Sequence, residues 1–223
     1  MILLSAEHLP GIANTVADQE SRQVETSTEW MLNRAVFHWM QQILGPCQMD
    51  LFVTRLNHQL ANYVSWRPDP FAQATDAFRL SWKGLDGYAF PPFGLIGKCL
   101  QKIRQEQGTI TMVVPQWHSQ VWYPTLMECL VDYPLSLPKQ VDLLLNPSNQ
   151  PHPLIIQGSL KLLACRVSGN STLQQGFQKR LLSSYWQDGA QGQIQPISRD
   201  GQDGAAGVVN GKLIPFHAAS SPS

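Results

Sequence analysis

Charge is scarce in this chain. Asp, Glu, Lys and Arg make up 14% of its 223 residues, against about a quarter in ordinary globular domains. Sixteen basic residues offset sixteen acidic ones, so no net field draws the chain to nucleic acid or to a membrane. Apolar runs of membrane-spanning length are absent, which excludes a transmembrane helix of the usual kind. Met1-Ile2-Leu3-Leu4 is too short for a signal h-region. Cys47, Cys99, Cys129 and Cys165 form no CxxC pair or cluster. Their spacing argues against zinc and for reduced, buried thiols in an intracellular protein of nucleus or cytoplasm. What is present is a 43% hydrophobic content, with 16 Gly and 16 Pro, enough for one sizeable core plus appendages.

Five stretches follow from the pattern. Residues 1–22 hold a strand end, the Pro10-Gly11 turn and one helix start, too little to bury a core unaided. Residues 23–28 are polar and read as a linker. Residues 29–132 carry the strongest signals. A helix is expected from about Thr28 to Leu44, then strands at Met49–Val53, Tyr63–Trp66 and Tyr88–Phe90, and a strand or turn at Phe78–Trp82. Leu95, Ile96, Cys99, Leu100 and Ile103 form the apolar stripe of a helix, whose other face carries Lys98, Lys102 and Arg104 in solvent. The β-branched run Thr109–Val114 reads as a buried parallel strand, followed by a helix over Val121–Leu130. Residues 133–186 read as a connecting region with one short apolar run, Val141–Leu145, a last strand within Gly158–Val167 and a helix over Ser171–Trp186. In that helix Ser171 is the cap and Leu173, Phe177, Leu181 and Leu182 face inward. Residues 187–223 are Gly-, Gln- and Ser-rich and read as a flexible tail or linker. The order predicts an α/β domain with a small Rossmann-like sheet and right-handed crossovers.

The stretch Tyr88-Ala89-Phe90-Pro91-Pro92-Phe93-Gly94 is the most informative. Consecutive prolines after a strand fix an extended ledge, placed where α/β sheets bind ligands. Phe93 is either a stacking ring or a core residue. Asp50, between Met49 and Leu51-Phe52, is either a ligand contact or a cap on nearby loop amides. Asp76 reads as a second ligand contact or as a turn cap. Trp66, Trp82, Trp117, Trp122 and Tyr123 are candidate groove liners, or simply core.

Two parts of the chain resemble one family. Glu7-His8-Leu9-Pro10-Gly11-Ile12-Ala13-Asn14-Thr15-Val16-Ala17-Asp18, followed by Ser21-Arg22, is similar to the last segment of the ribonuclease H domain of retrotransposon reverse transcriptases. The resemblance makes Asp18 the last carboxylate for a Mg2+ pair and His8 a mobile histidine beside it. One aspartate cannot hold two metal ions astride a phosphate, so no nuclease activity is expected of this fragment. The landmarks Glu29-Trp30-x-Leu32, Asp50-Leu51-Phe52 with Asn57, Tyr63-x-Ser65, Asp76-Ala77-Phe78 with Trp82, Pro91-Pro92-Phe93 and Pro115-x-Trp117 carry the second likeness. They resemble the DNA N6-adenine methyltransferase-like domain of DIRS-type, tyrosine-recombinase retrotransposons. Gly158–Gly211 with Ile214-Pro215-Phe216 resembles the linker toward the recombinase, so the other domains of the parent polyprotein are missing here.

That resemblance implies a methyltransferase-type sheet, S-adenosylmethionine as cofactor and DNA as partner, with no membrane. Asp50 and Asp76 would hold the cofactor, and Pro91, Pro92 and Phe93 would form the catalytic ledge against a flipped adenine. Phe90 departs from the pattern, because the family has Asp or Asn there to accept from the target amine. Losing that acceptor costs at least ~1–3 kcal/mol of transition-state stabilisation. The turn after Asp50, Val53-Thr54-Arg55-Leu56, also lacks the usual glycine. The expectation is a domain without complete activity and with a nucleic-acid or scaffold role. The alternative is an S-adenosylmethionine-dependent adenine N6-methyltransferase.

Overall fold

A computed structural model describes residues 30–186, 206–209 and 212–218. The piece at 1–22 with His8 and Asp18, and the 23–28 linker, lie outside the described residues.

Alternating burial builds the sheet. In β5 (Asp86–Ala89) and β6 (Thr109–Pro115), Ala89, Ile110, Met112 and Val114 face one cluster, whereas Tyr88 and Val113 face another. Strands buried on both faces need helices on both. α1 (Arg34–Leu44) covers the Tyr88 face through Val36, Phe37 and Met40. The other face is covered by α2 (Ile96–Glu106), through Ile96, Cys99, Leu100 and Ile103, with α3 (Tyr123–Glu128) beside it.

The parallel strands β2 (Met49–Val53), β3 (Tyr63–Ser65), β4 (Ala74–Thr75), β5 and β6 run in spatial order β4-β3-β2-β5-β6. Counted from β2, this is the doubly wound order 3-2-1-4-5, and the direction in which successive strands are added reverses between β2 and β5. β9 (Leu162–Ser168) then pairs antiparallel with β6 over its whole length, Thr109 opposite Ser168 and Pro115 opposite Leu162. β7 (Leu135–Ser136) adds to β9, giving with one further edge strand an eight-stranded mixed sheet.

Several elements depart from the sequence reading. The first helix begins at Arg34, because Asn33 caps it by accepting from Ala35 N at 2.9 Å. Before it, β1 (Met31–Leu32) pairs with β8 (Leu144–Leu145), so Met31 is in a strand and Val141 is left exposed. α3 is shorter than Val121–Leu130, since Pro124 fits only its first turn. A short α4 (Pro153–Ile156) sits in the proline-rich region. In α5 (Ser171–Trp186) Phe177 and Leu181 are buried but Leu173 is exposed, and Asn170 rather than Ser171 caps the first amides.

The largest difference concerns 133–223. The presumed connection supplies β7, β9 and α5 to the same sheet and core. Within the presumed tail, β10 (Ala206–Val209) and β11 (Lys212–Pro215) form a hairpin, and β12 (His217–Ala218) joins the sheet edge beside β7. Val209, Ile214 and Phe216 are buried in the main cluster. Polar flanks concealed a short apolar signal that tertiary burial makes decisive.

Candidate functional site: the carboxyl edge of the parallel strands

The reversal of strand order between β2 and β5 marks the carboxyl ends at which doubly wound sheets bind ligands. The Pro-Pro ledge leaves β5 there: Pro92 is extended, and Phe93–Leu95 makes a single tight helical turn closed by Leu95 N donating to Pro92 O at 2.8 Å. Phe90 and Phe93 are half-buried, with ring centroids 6.4 Å apart. Trp117, just after β6, meets Phe93 edge to face at 5.1 Å. Phe90, Phe93 and Trp117 thus form an aromatic shelf, with Trp39 and Leu60 against the same cluster.

The turn after β2 leaves the neighbouring strand at the same edge. Asn57, buried, holds it closed: its Oδ1 accepts from Thr54 N at 2.7 Å and from Thr54 Oγ1 at 3.0 Å. Leu56 N donates to Thr54 Oγ1 and Asn57 N to Thr54 O. A side-chain-locked turn replaces a glycine turn here. The cue in the sequence was the Thr54-x-x-Asn57 spacing.

Asp50 is fully buried below this turn, in register with Tyr63 on β3 and Tyr88 on β5. Its Oδ2 accepts from Gln59 N at 2.9 Å, and the Gln59 side chain donates onward to Leu32 O. Burial raises its pKa to about 7, against the opposing pull of the Gln59 and Leu51 amides. Among the described residues its Oδ1 has no partner, nor has the Tyr88 hydroxyl. The carboxyl caps the loop from within the sheet and is closed to solvent.

Asp76 lies farther along, beyond β3 at the end of β4. It has φ +64°, and its Oδ1 accepts from Phe78 N at 3.0 Å while its carbonyl accepts from Arg79 N. This is a turn cap, two strands from Asp50. Asp50 and the ledge are thus brought onto adjacent strands, and Asp76 is not brought to them. Of the helix cations, Lys98 and Arg104 are exposed as the sequence implied, and Lys102 is partly covered. Lys98 Nζ stands 4.0 Å over the Phe78 ring, and Lys102 pairs with Glu106.

Two surface grooves are found among the described residues. One of about 530 Å³ runs between α2 and Trp122, and one of about 710 Å³ sits at the amino ends of β5 and β6. Among the described residues no group of three or more His, Cys, Asp or Glu is placed to hold a metal ion. No helix among them is long and apolar enough to cross a membrane.

Comparison with known families, curated proteins and solved structures finds no match to this chain.

Proposed function

We propose that the chain is a fragment of a retrotransposon-derived polyprotein whose methyltransferase-like domain has lost catalysis and serves nucleic-acid binding or assembly. The observation that carries this is Phe90 at the first position of the ledge. A ring stands at the strand end where methyl transfer to an amine needs a hydrogen-bond acceptor. The sheet supports the methyltransferase likeness, since it is doubly wound with one antiparallel strand let in beside its far edge.

The polar groups present do not fit S-adenosylmethionine. Asp50 is enclosed, and the amides of Thr54, Leu56, Asn57 and Gln59 are already taken within the protein. A cofactor carboxylate would find those donors occupied.

The test is isothermal titration of the full chain with S-adenosylmethionine, with circular dichroism to establish folding. The expected result is no saturable heat. Saturable micromolar binding, reduced by Asn57→Ala, would overturn the non-catalytic reading in favour of an adenine N6-methyltransferase.

A further inference from the structure

The five aromatic residues offered as groove liners separate in the fold. Trp82 and Tyr123 are buried, Trp117 and Trp122 are half-buried, and Trp66 is 38% exposed. Trp66 lies at the carboxyl end of β3, and Phe71, in the same loop, is 67% exposed. Each ring carries a guanidinium. Arg67 stands 3.9 Å from the Trp66 centroid, and Arg55, from the adjacent β2 loop, stands 5.8 Å from that of Phe71.

These rings are not on a loose loop. Pro68 and Pro70 fix φ at two positions between them. Asp69 ties the loop down, its Oδ2 accepting from Tyr63 OH at 2.9 Å and its Oδ1 from Phe71 N at 3.0 Å. Gln73 N donates to Tyr63 O, and Arg67 N to Ser65 Oγ. Large rings exposed on a pre-ordered backbone can bind at little entropic cost. Among the described residues neither arginine has a salt-bridge partner, and both oxygens of nearby Asp69 are engaged. Two cations without salt-bridge partners, each over one face of a solvent-exposed ring, suit a strand whose phosphates meet the guanidinium groups while unstacked bases use the remaining ring surface. A duplex keeps its bases stacked and cannot use the rings.

We propose that Arg55, Trp66, Arg67 and Phe71 form a stacking platform for single-stranded nucleic acid. Bases lie on the rings and phosphates meet the guanidinium groups. This rests on the nucleic-acid reading above and assigns it a partner class and a place distinct from the Phe90–Phe93 ledge.

The experiment is fluorescence anisotropy of the full chain with labelled oligothymidylate of about 15 nucleotides, set against a duplex of equal length across a salt series. The single strand should bind more tightly than the duplex. Trp66→Ala and Phe71→Ala should each weaken it about tenfold. Arg55→Gln and Arg67→Gln should each lower the salt slope by about 0.7. Val121→Ala, an exposed apolar residue elsewhere, should change nothing. Undiminished binding by a Trp66→Ala, Phe71→Ala double variant would overturn the platform and leave the nucleic-acid reading standing. Equal or tighter duplex binding would do the same. No binding of any oligonucleotide by the folded chain would remove both.

Discussion

Asp50 and Tyr88 are register partners across β2 and β5, and both side chains are sealed in with Asp50 Oδ1 and the Tyr88 hydroxyl unpartnered. Burial raises the Asp50 pKa to about 7 and pushes that of Tyr88 well up, the neighbouring Asp50 adding to the second shift. An acid whose folded pKa lies above its unfolded value, about 4, binds more protons folded than unfolded in the interval between. Stability should therefore fall as pH rises from about 4 to 7 and level off above, by up to about 4 kcal/mol. Asp50→Asn keeps an acceptor for Gln59 N and removes the titration. Urea unfolding at pH 5 and pH 8 should show the slope in the parent chain and its absence in the variant. An equal slope in both would place the titrating group elsewhere.

At the ledge, Phe90→Asn supplies a side-chain acceptor at the position where the proposed methyltransferase likeness calls for Asp or Asn. Phe90 is half-buried against Phe93, so the exchange should cost about 1–2 kcal/mol of stability. Methyl transfer is not expected to appear, because the donors of the Thr54–Asn57 turn stay engaged. Labelled S-adenosylmethionine with an adenine-containing oligonucleotide checks this. Label in the DNA would mean that Phe90 alone had silenced an otherwise competent site.

Ending the chain at residue 205 tests whether the last strands belong to the core. Val209, Ile214 and Phe216 are buried in the main cluster, and β12 covers the edge of β7. Losing those contacts and exposing that edge should cost about 3–5 kcal/mol. Thermal unfolding of the truncated chain measures it. An unchanged midpoint would return 206–218 to the status of a tail.

The parallel half of the sheet was legible because its signals are local. Thr109–Val114 is β-branched and continuous, and the stripe from Ile96 to Ile103 has clear helical spacing. The ledge was legible because two prolines dictate its backbone whatever surrounds them. The far half was not. β7 and β12 are two residues each, and their existence depends on β9 lying between β6 and β7, a pairing that no local pattern encodes. The strand position of Asp50 is legible in the sequence, but its depth beneath Gln59 depends on a loop that folds back over it. The exposure of Trp66 beside buried Trp82 likewise follows from tertiary position, since both occupy similar local sequence.

Gly169 and Gly108 make the last case, because they hold the amino end of the sheet together by absence of a side chain. A Cβ on Gly169 would overlap the Ile103 carbonyl at the end of α2, and one on Gly108 would overlap the Trp82 carbonyl. Both obstacles are backbone, so neither can rotate away. The same corner is knotted by Ser168 Oγ, which donates to Gly108 O at 3.0 Å. Gly169→Ala should therefore cost about 3 kcal/mol or more, through displacement of α2 from β9. Gly94→Ala supplies the contrast, since a Cβ there meets open space at ordinary φ, and it should change stability by less than about 0.5 kcal/mol. Equal effects of the two exchanges in urea unfolding would show that close packing of α2 on β9 does not limit this corner.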